Sequence, residues 1–463
     1  MPTPKIKAYL DSFRCRRKAW FLNKNSEEIS SDLEEEILQD IFKLEFNPHI
    51  AMNTELSSDC IKQIQSQNGL YTHLTYQGMT LPFIYQTNQK LSFFLVKPRY
   101  QKSKLLIHEA RYWWQLFHQF NMPIDQVYLF RINKYNKFNE THPFSIFIKD
   151  DLTSLMIENH KKTQHFLNRL EKELKNTKPP APKLSHTCDD CEFKSNCFPV
   201  EKDHILNLRG ISYKEKQKWM NQGILKFEDI ADHSLLSKEQ KIQIDACSQE
   251  KVFLDKEGLK QFLSKIKYPL YFLDFEATQF VIPKFNQMQP FEPLVFMYSL
   301  HSQQDEFSPL KHQYCFISPQ KDPRVLLAKQ LIQDIEDNGG SIITFDKDFE
   351  VQTLKKFAAL NTELSPALYK LIKRMIDLKD PFTQFYIYHP DMLGKLTFKS
   401  ILPAFVKSLA YEKLSIKNGE QASQAYKSLF LNGTDYEKEL IEYAKQDTYG
   451  MSVILRQLEA YAK

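Results

Sequence analysis

Two carboxylates close one of the most apolar stretches of the chain. "KYPLYFLDFEAT", Lys267 to Thr278, is almost all apolar from Tyr268 to Phe275, with Asp274 and Glu276 at its end. Such a run reads as a strand buried on both faces. Alternate residues of a strand share a face, so the two acids point the same way with Phe275 between them. A further inward acid lies in the helical pattern "DYEKELIEYAKQDTYGMSVILRQLEAYAK". Its apolar stripe is Leu440, Tyr443, Ala444, Met451, Ile454 and Leu458, and Asp447 falls on that stripe four residues after Tyr443. A buried unpaired carboxylate is costly and normally pairs or holds a metal. No Arg or Lys shares the stripe.

A third acidic group, Asp346, Asp348 and Glu350, sits where "TFDKDFE" passes from strand to helix. Acids favour helix N-termini in any case, and Asp346 is placed to be the N-cap. Asp377 in "RMIDLKD" reads as a helix cap or salt-bridge partner. Taken together, inward acids on three separate elements suggest a divalent-metal site, and hard oxygen ligands suit Mg²⁺ or Mn²⁺. Two ions ~3.5–4 Å apart can clamp the attacking and departing oxygens of a phosphodiester while one acidifies a bound water. Tyr443 is placed to orient that water for in-line attack.

A second constellation is built of sulfur. "CDDCEFKSNC" holds Cys188, Cys191 and Cys197, and Cys15 in "FRCRRKAWF" is a distant fourth. Clustered thiolates with this spacing argue for Zn²⁺ or an iron–sulfur cluster. Cys60, Cys247 and Cys315 fit neither pattern and read as ordinary buried thiols.

The elements that must hold these groups follow from pattern and composition. A chain of 463 residues is too long for one core, so two or three domains are expected. Scarce Gly and abundant aromatics argue for packed, helix-rich structure, and a net charge of +5 permits nucleic-acid binding without demanding it. No apolar run is long enough to span a membrane, no signal-peptide core opens the chain, and the cysteine usage suits a reducing compartment, so a cytoplasmic location is expected. "MLGKLT" lacks the earlier glycine of a Walker A loop. The proline cluster of "KNTKPPAPKLSHT" marks the clearest break, after a helical pattern from Leu152 to Leu174. Upstream, "LSFFLVKPR" and "QVYLFRINKY" read as strands and "LLIHEARYWWQLFHQF" as an amphipathic helix. Three parts result: 1–200, mixed α/β with the cysteines; 201–258, small and helical; 259–463, a mixed sheet flanked by helices.

The order D-x-E at a first strand end, an acid at a later strand–helix junction, and Y-x-x-x-D on a late helix resembles the DEDD 3′→5′ exonucleases, the tyrosine marking the DEDDy subtype. That resemblance implies an RNase H-like fold from about Pro269 onward. It implies Asp274 and Glu276 as first-motif ligands, Glu350 as the second-motif acid, Asp447 as the third and Tyr443 as the water-orienting residue. Glu350 departs from the aspartate usual there, and Asp346 is its stand-in. The stretches "YPLYFLDFE", "GGSIITFDKDFE", "LTFKSILP" and "LIEYAKQDT" also resemble an uncharacterised bacterial family joining a RecB-like region to such a domain.

One early Cys followed by C-x₂-C-x₅-C is similar to RecB-like nucleases of the PD-(D/E)XK type, whose cysteines bind a [4Fe–4S] cluster. The resemblance thus favours iron–sulfur over zinc at Cys15, Cys188, Cys191 and Cys197, in a structural role. "SFFLVKPR" keeps Lys97 but has Leu95 where that family needs a glutamate, and Tyr85 on the preceding strand brings no acid. The first part is therefore expected to be a degenerate nuclease. Arg14, Arg16, Arg17, Lys18 and Trp20 offer it a surface for nucleic acid, or simply a solvated helix face. The segment around Gly210 resembles a helix-hairpin-helix, or is a plain helical linker. The function expected is a 3′→5′ exonuclease on DNA or RNA; the alternative is a catalytically weak or inactive nucleic-acid-binding protein, and a purely structural protein would need Asp447 paired with a buried Arg or Lys.

Overall fold

The computed structural model describes residues 4–24, 33–77, 79–136, 142–198 and 201–463. The chain is mixed α/β and divides into two units, Met1–Pro199 with Phe280–Glu292, and Val200–Gln279 with Pro293–Lys463. The boundary drawn at residue 200 falls beside residues 199 and 200, which lie outside the described residues. Residues 201–258 group with the C-terminal part instead of standing alone.

In the first unit, strands β1 (His49–Glu55), β2 (Gly69–Tyr76), β3 (Phe83–Thr87), β4 (Lys90–Lys97), β5 (Ile124–Ile132) and β6 (Phe147–Asp151) lie side by side in chain order, with Met79–Thr80 paired to β2. The pairs β1–β2 and β4–β5 are parallel; the others are antiparallel. Within β4, Phe93 and Leu95 join one core while Phe94 and Val96 join another. That alternation with apolar residues on both faces is what a doubly covered strand requires. Helix α1 (Lys104–Gln119) has the predicted amphipathic stripe, and α2 (Thr153–Lys175) matches the predicted helix after Leu152.

The second unit opens with short helices. Gly210 turns with φ 72° before a helix, Tyr213–Asn221, whose N-cap Ser212 accepts from the Glu215 amide as the capping pattern predicts. The five-stranded sheet then forms from β7 (Leu270–Gln279), β8 (Pro293–Gln303), β9 (Lys311–Phe316), β10 (Ile342–Thr344) and β11 (Met375–Asp377), in the order β9-β8-β7-β10-β11. Strands β7 to β9 run antiparallel; β7, β10 and β11 run parallel. Helix α3 (Pro323–Asp334) follows β9, with Asp322 as its N-cap.

The period of two in β7 decides where its acids go. Tyr271, Leu273 and Phe275 pack with Leu327, Leu331, Leu354 and Phe357 on one face. Leu270 and Phe272 pack on the other, in the core that contains Leu440, Tyr443 and Ala444 of α4 (Glu437–Ala462). Asp274 and Glu276 have the parity of Leu270 and Phe272, so they face α4. Leu440, Met451, Ile454, Leu455 and Leu458 of that helix are essentially buried. At ~2 kcal/mol apiece they contribute ~10 kcal/mol, enough to hold Asp447 inward against a desolvation cost of several kcal/mol.

Candidate metal centre

Oxygens of Asp274, Glu276 and Asp447 lie within 4.8 Å of one another. They come from the central strand and a helix about 170 residues later, a separation on the order that only tertiary packing closes. Glu276 and Asp447 are buried and Asp274 is partly buried. Burial, and then Asp447, drive the Asp274 and Glu276 carboxyls well above the usual carboxylate range, with Glu350 adding to both and the Lys399 ammonium opposing. Burial likewise pushes Asp447 up to about 6, against a hydrogen bond from Tyr411, the Lys399 charge and Tyr443.

Glu350 is outside this group, since its oxygens do not come within 4.8 Å of all three. It is 3% exposed in the first turn of helix Asp348–Leu360, and its Oε2 has no hydrogen-bond partner. Burial above all, helped by Asp377, Asp346 and Asp348, raises its pKa to about 8. Three gathered carboxylates, with the orphan oxygen of Glu350, offer hard oxygen donors of the kind that could hold a divalent cation.

Asp346 does not cap the helix. The N-cap position is Lys347, which makes no side-chain cap bond; Asp346 itself is exposed, turns with φ 68°, and pairs with Lys379. The left-handed turn points its carboxylate away from the helix amides. Asp377 supplies the order there, accepting from the backbone amides of Asp346 (2.9 Å), Lys347 (3.1 Å) and Lys379 (2.9 Å). It thus shapes the turn that delivers Glu350.

Tyr443 is buried, and its hydroxyl accepts a hydrogen bond from Lys399 Nζ at 2.8 Å. Burial, Asp447 and the other acids raise its pKa, so the phenol stays protonated. Lys399, on the helix Phe398–Phe405, also donates to the Lys417 carbonyl at 2.9 Å, and its ammonium lies 4.6 Å from the Tyr443 ring centroid and 5.0 Å from that of Tyr411. The Tyr411 hydroxyl donates to Asp447 Oδ1. Sequence reasoning missed both Lys399 and Tyr411. The approach of Lys399 depends on Gly450: a Cβ there would sit 2.6 Å from Leu402 and 3.0 Å from Phe398, so the glycine lets the Lys399 helix lie against α4. The expectation that Asp447 lacks a cation holds for its own stripe, while Lys399 arrives from another helix.

In the first unit, Cys15, Cys188, Cys191 and Cys197 all line one cavity of about 230 Å³, and each is a free thiol. Burial raises the Cys197 thiol, with Arg17 opposing. Of the other cysteines, Cys60 is buried, whereas Cys247 and Cys315 are only half-buried, which corrects the expectation of three buried thiols. Most of the basic run is spent internally. Arg16 pairs with Glu173 (3.2 Å) and Lys18 with Glu192 (3.0 Å); Arg17 donates to the Pro180 carbonyl (2.8 Å) and Trp20 to that of Asn176 (2.9 Å). These bonds tie the helix that follows Cys15 to segments before and after Cys188, and Arg14 remains exposed. Leu95 is buried, and Lys97 Nζ lies 2.9 Å from both Glu35 and Glu109. Among the described residues no helix is long and apolar enough to cross a membrane.

Residues 271–397 match a family described as a domain of unknown function, DUF2779, a stretch that contains Asp274, Glu276 and Glu350. The chain is also 26% identical over 244 residues to the uncharacterized protein MG366 of Mycoplasma genitalium, covering 46% of this chain and 35% of that one. It thus spans about a third of the length of that relative. Both similarities agree with the expectation of an uncharacterised family. No solved structure matches.

Proposed function

We propose that the second unit is a metal-dependent 3′→5′ exonuclease of DNA or RNA, with an RNase H-like sheet and a DEDDy-type acid set. One observation carries this: Asp274, Glu276 and Asp447 converge to within 4.8 Å from remote parts of the chain. The sheet supports it, because three consecutive antiparallel strands continued by two parallel ones is the layout such a domain needs. Among the described residues Lys399 is the cation that faces Asp274, Glu276 and Asp447. Burial raises the pKa values of all four acids, and repulsion between carboxylates adds to those of Asp274, Glu276 and Glu350; a divalent cation would relieve that repulsion, which favours a cation-binding role over a structural ion pair.

Divalent ions held by Asp274, Glu276, Glu350 and Asp447 would supply a Lewis acid and an acidified water. Tyr443, kept protonated, serves as a hydrogen-bond partner that orients water and not as a base. Lys399 donates to that hydroxyl, and the hydroxyl in turn hydrogen-bonds Asp447, so Tyr443 is held between the lysine and one of the gathered acids. The test is degradation of 5′-labelled strands with Mn²⁺ or Mg²⁺. Wild type should shorten them from the 3′ end and Asp274→Ala should not; equal degradation by both proteins would mean a contaminant.

The first unit is proposed to bind nucleic acid without cutting it and to hold a [4Fe–4S] cluster at its four cysteines. The shared cavity supports the cluster. Lys97 is already engaged by two glutamates and Leu95 offers no ligand, which supports the loss of cutting there. Anaerobic purification should yield brown protein containing iron and sulfide; colourless protein with stoichiometric zinc would reverse the assignment.

A further inference from the structure

We propose that Tyr411 is a positioning residue for a metal ligand: its hydroxyl sets the rotation of the Asp447 carboxylate and so presents the other oxygen to the cation site. This rests on the metal-dependent function proposed above. An aspartate χ2 is broad and roughly two-fold, so the helix backbone alone does not choose which carboxylate oxygen faces Asp274 and Glu276. Tyr411 biases the choice by donating to Oδ1, the Tyr443 hydroxyl being a second hydrogen-bond partner of the same carboxylate.

The tyrosine is built in. It begins a short turn, Tyr411–Lys413, on neither β7 nor α4, yet is only 6% exposed. Gln446, the residue before Asp447, donates to the Leu409 carbonyl at 3.0 Å and ties the approach to this turn onto α4. The Tyr411 ring meets the Tyr443 ring at 6.1 Å between centroids, and the Lys399 ammonium stands 5.0 Å from it. Packing alone would be served by phenylalanine. The hydroxyl has a separate task, because its partner is one of the gathered acids, and hydrogen bonds to ligating carboxylates orient them and tune affinity.

The experiment is a Mn²⁺ titration followed by electron paramagnetic resonance on wild type, Tyr411→Phe and Tyr426→Phe, with thermal unfolding of each in parallel. Tyr426 is a fully buried tyrosine of the same unit whose hydroxyl donates to the Ile317 carbonyl at 3.2 Å, so it reports the general effect of deleting a buried phenol hydroxyl. Tyr411→Phe should bind Mn²⁺ ~10-fold or more weakly, as loss of an outer-shell partner does, while Tyr426→Phe binds as wild type. Exonuclease turnover of Tyr411→Phe should recover substantially at saturating Mn²⁺. An isotherm for Tyr411→Phe that superimposes on wild type, or an equal shift in Tyr426→Phe, overturns the role of Tyr411 alone. A wild type that binds no Mn²⁺ overturns the metal site and this inference together.

Discussion

Glu350→Gln should make the ion-free protein more stable while removing its activity. Glu350 is buried, its Oε2 is unpartnered, and its pKa is raised from 4.5 to about 8. A raised folded-state pKa favours the protonated form, so the penalty is absent below about pH 4.5 and grows as the pH rises toward 8. At pH 7.5 keeping the group in place costs on the order of 4 kcal/mol, against under ~1 kcal/mol at pH 5. Water entering the site relaxes part of this, which leaves ~2–4 kcal/mol. For a unit of this size that is roughly 5–10 °C in Tm at pH 7.5, with little difference at pH 5. The assay is thermal unfolding of both proteins in EDTA across that pH range, repeated with Mn²⁺. Mn²⁺ should stabilise wild type more than Glu350→Gln, because binding to the native state adds stability in proportion to affinity. A variant less stable than wild type at pH 7.5 without metal would show that Glu350 is held by a favourable partner, and the cation-site argument would fail with it.

Two further outcomes follow from the same geometry. Gly450→Ala places a methyl 2.6 Å from Leu402 and 3.0 Å from Phe398; denaturant unfolding should register a loss of ~1–3 kcal/mol, and turnover should fall as Lys399 moves off Tyr443. Lys399→Met removes the resident cation, so calorimetry should show Mn²⁺ binding tightened by about tenfold, since ~1.4 kcal/mol of relieved repulsion suffices, and should show no change if the lysine is remote from the ions.

Local periodicity made much of this molecule legible. The parity of β7 put Asp274 and Glu276 on one face, and the helical period put Asp447 under Tyr443, because strand and helix geometry are repeated at every residue. The strands and helices around Phe93, Trp113 and Leu167 were readable for the same reason. The cysteine spacing named three thiols, and the resemblance to RecB-like nucleases added Cys15; all four line one cavity. Other features depended on chain segments meeting. Asp346 looked like a cap until the left-handed turn and Asp377 directed its side chain to Lys379. The arginines after Cys15 looked free until Glu173 and the Pro180 carbonyl came to them. Lys399 and Tyr411 carry no spacing signal at all, since each reaches Tyr443 or Asp447 from a separate segment, Lys399 on a helix that Gly450 lets close on α4. A repeat along one element reveals which way a side chain faces; which partner waits there is set by packing between elements far apart in the chain.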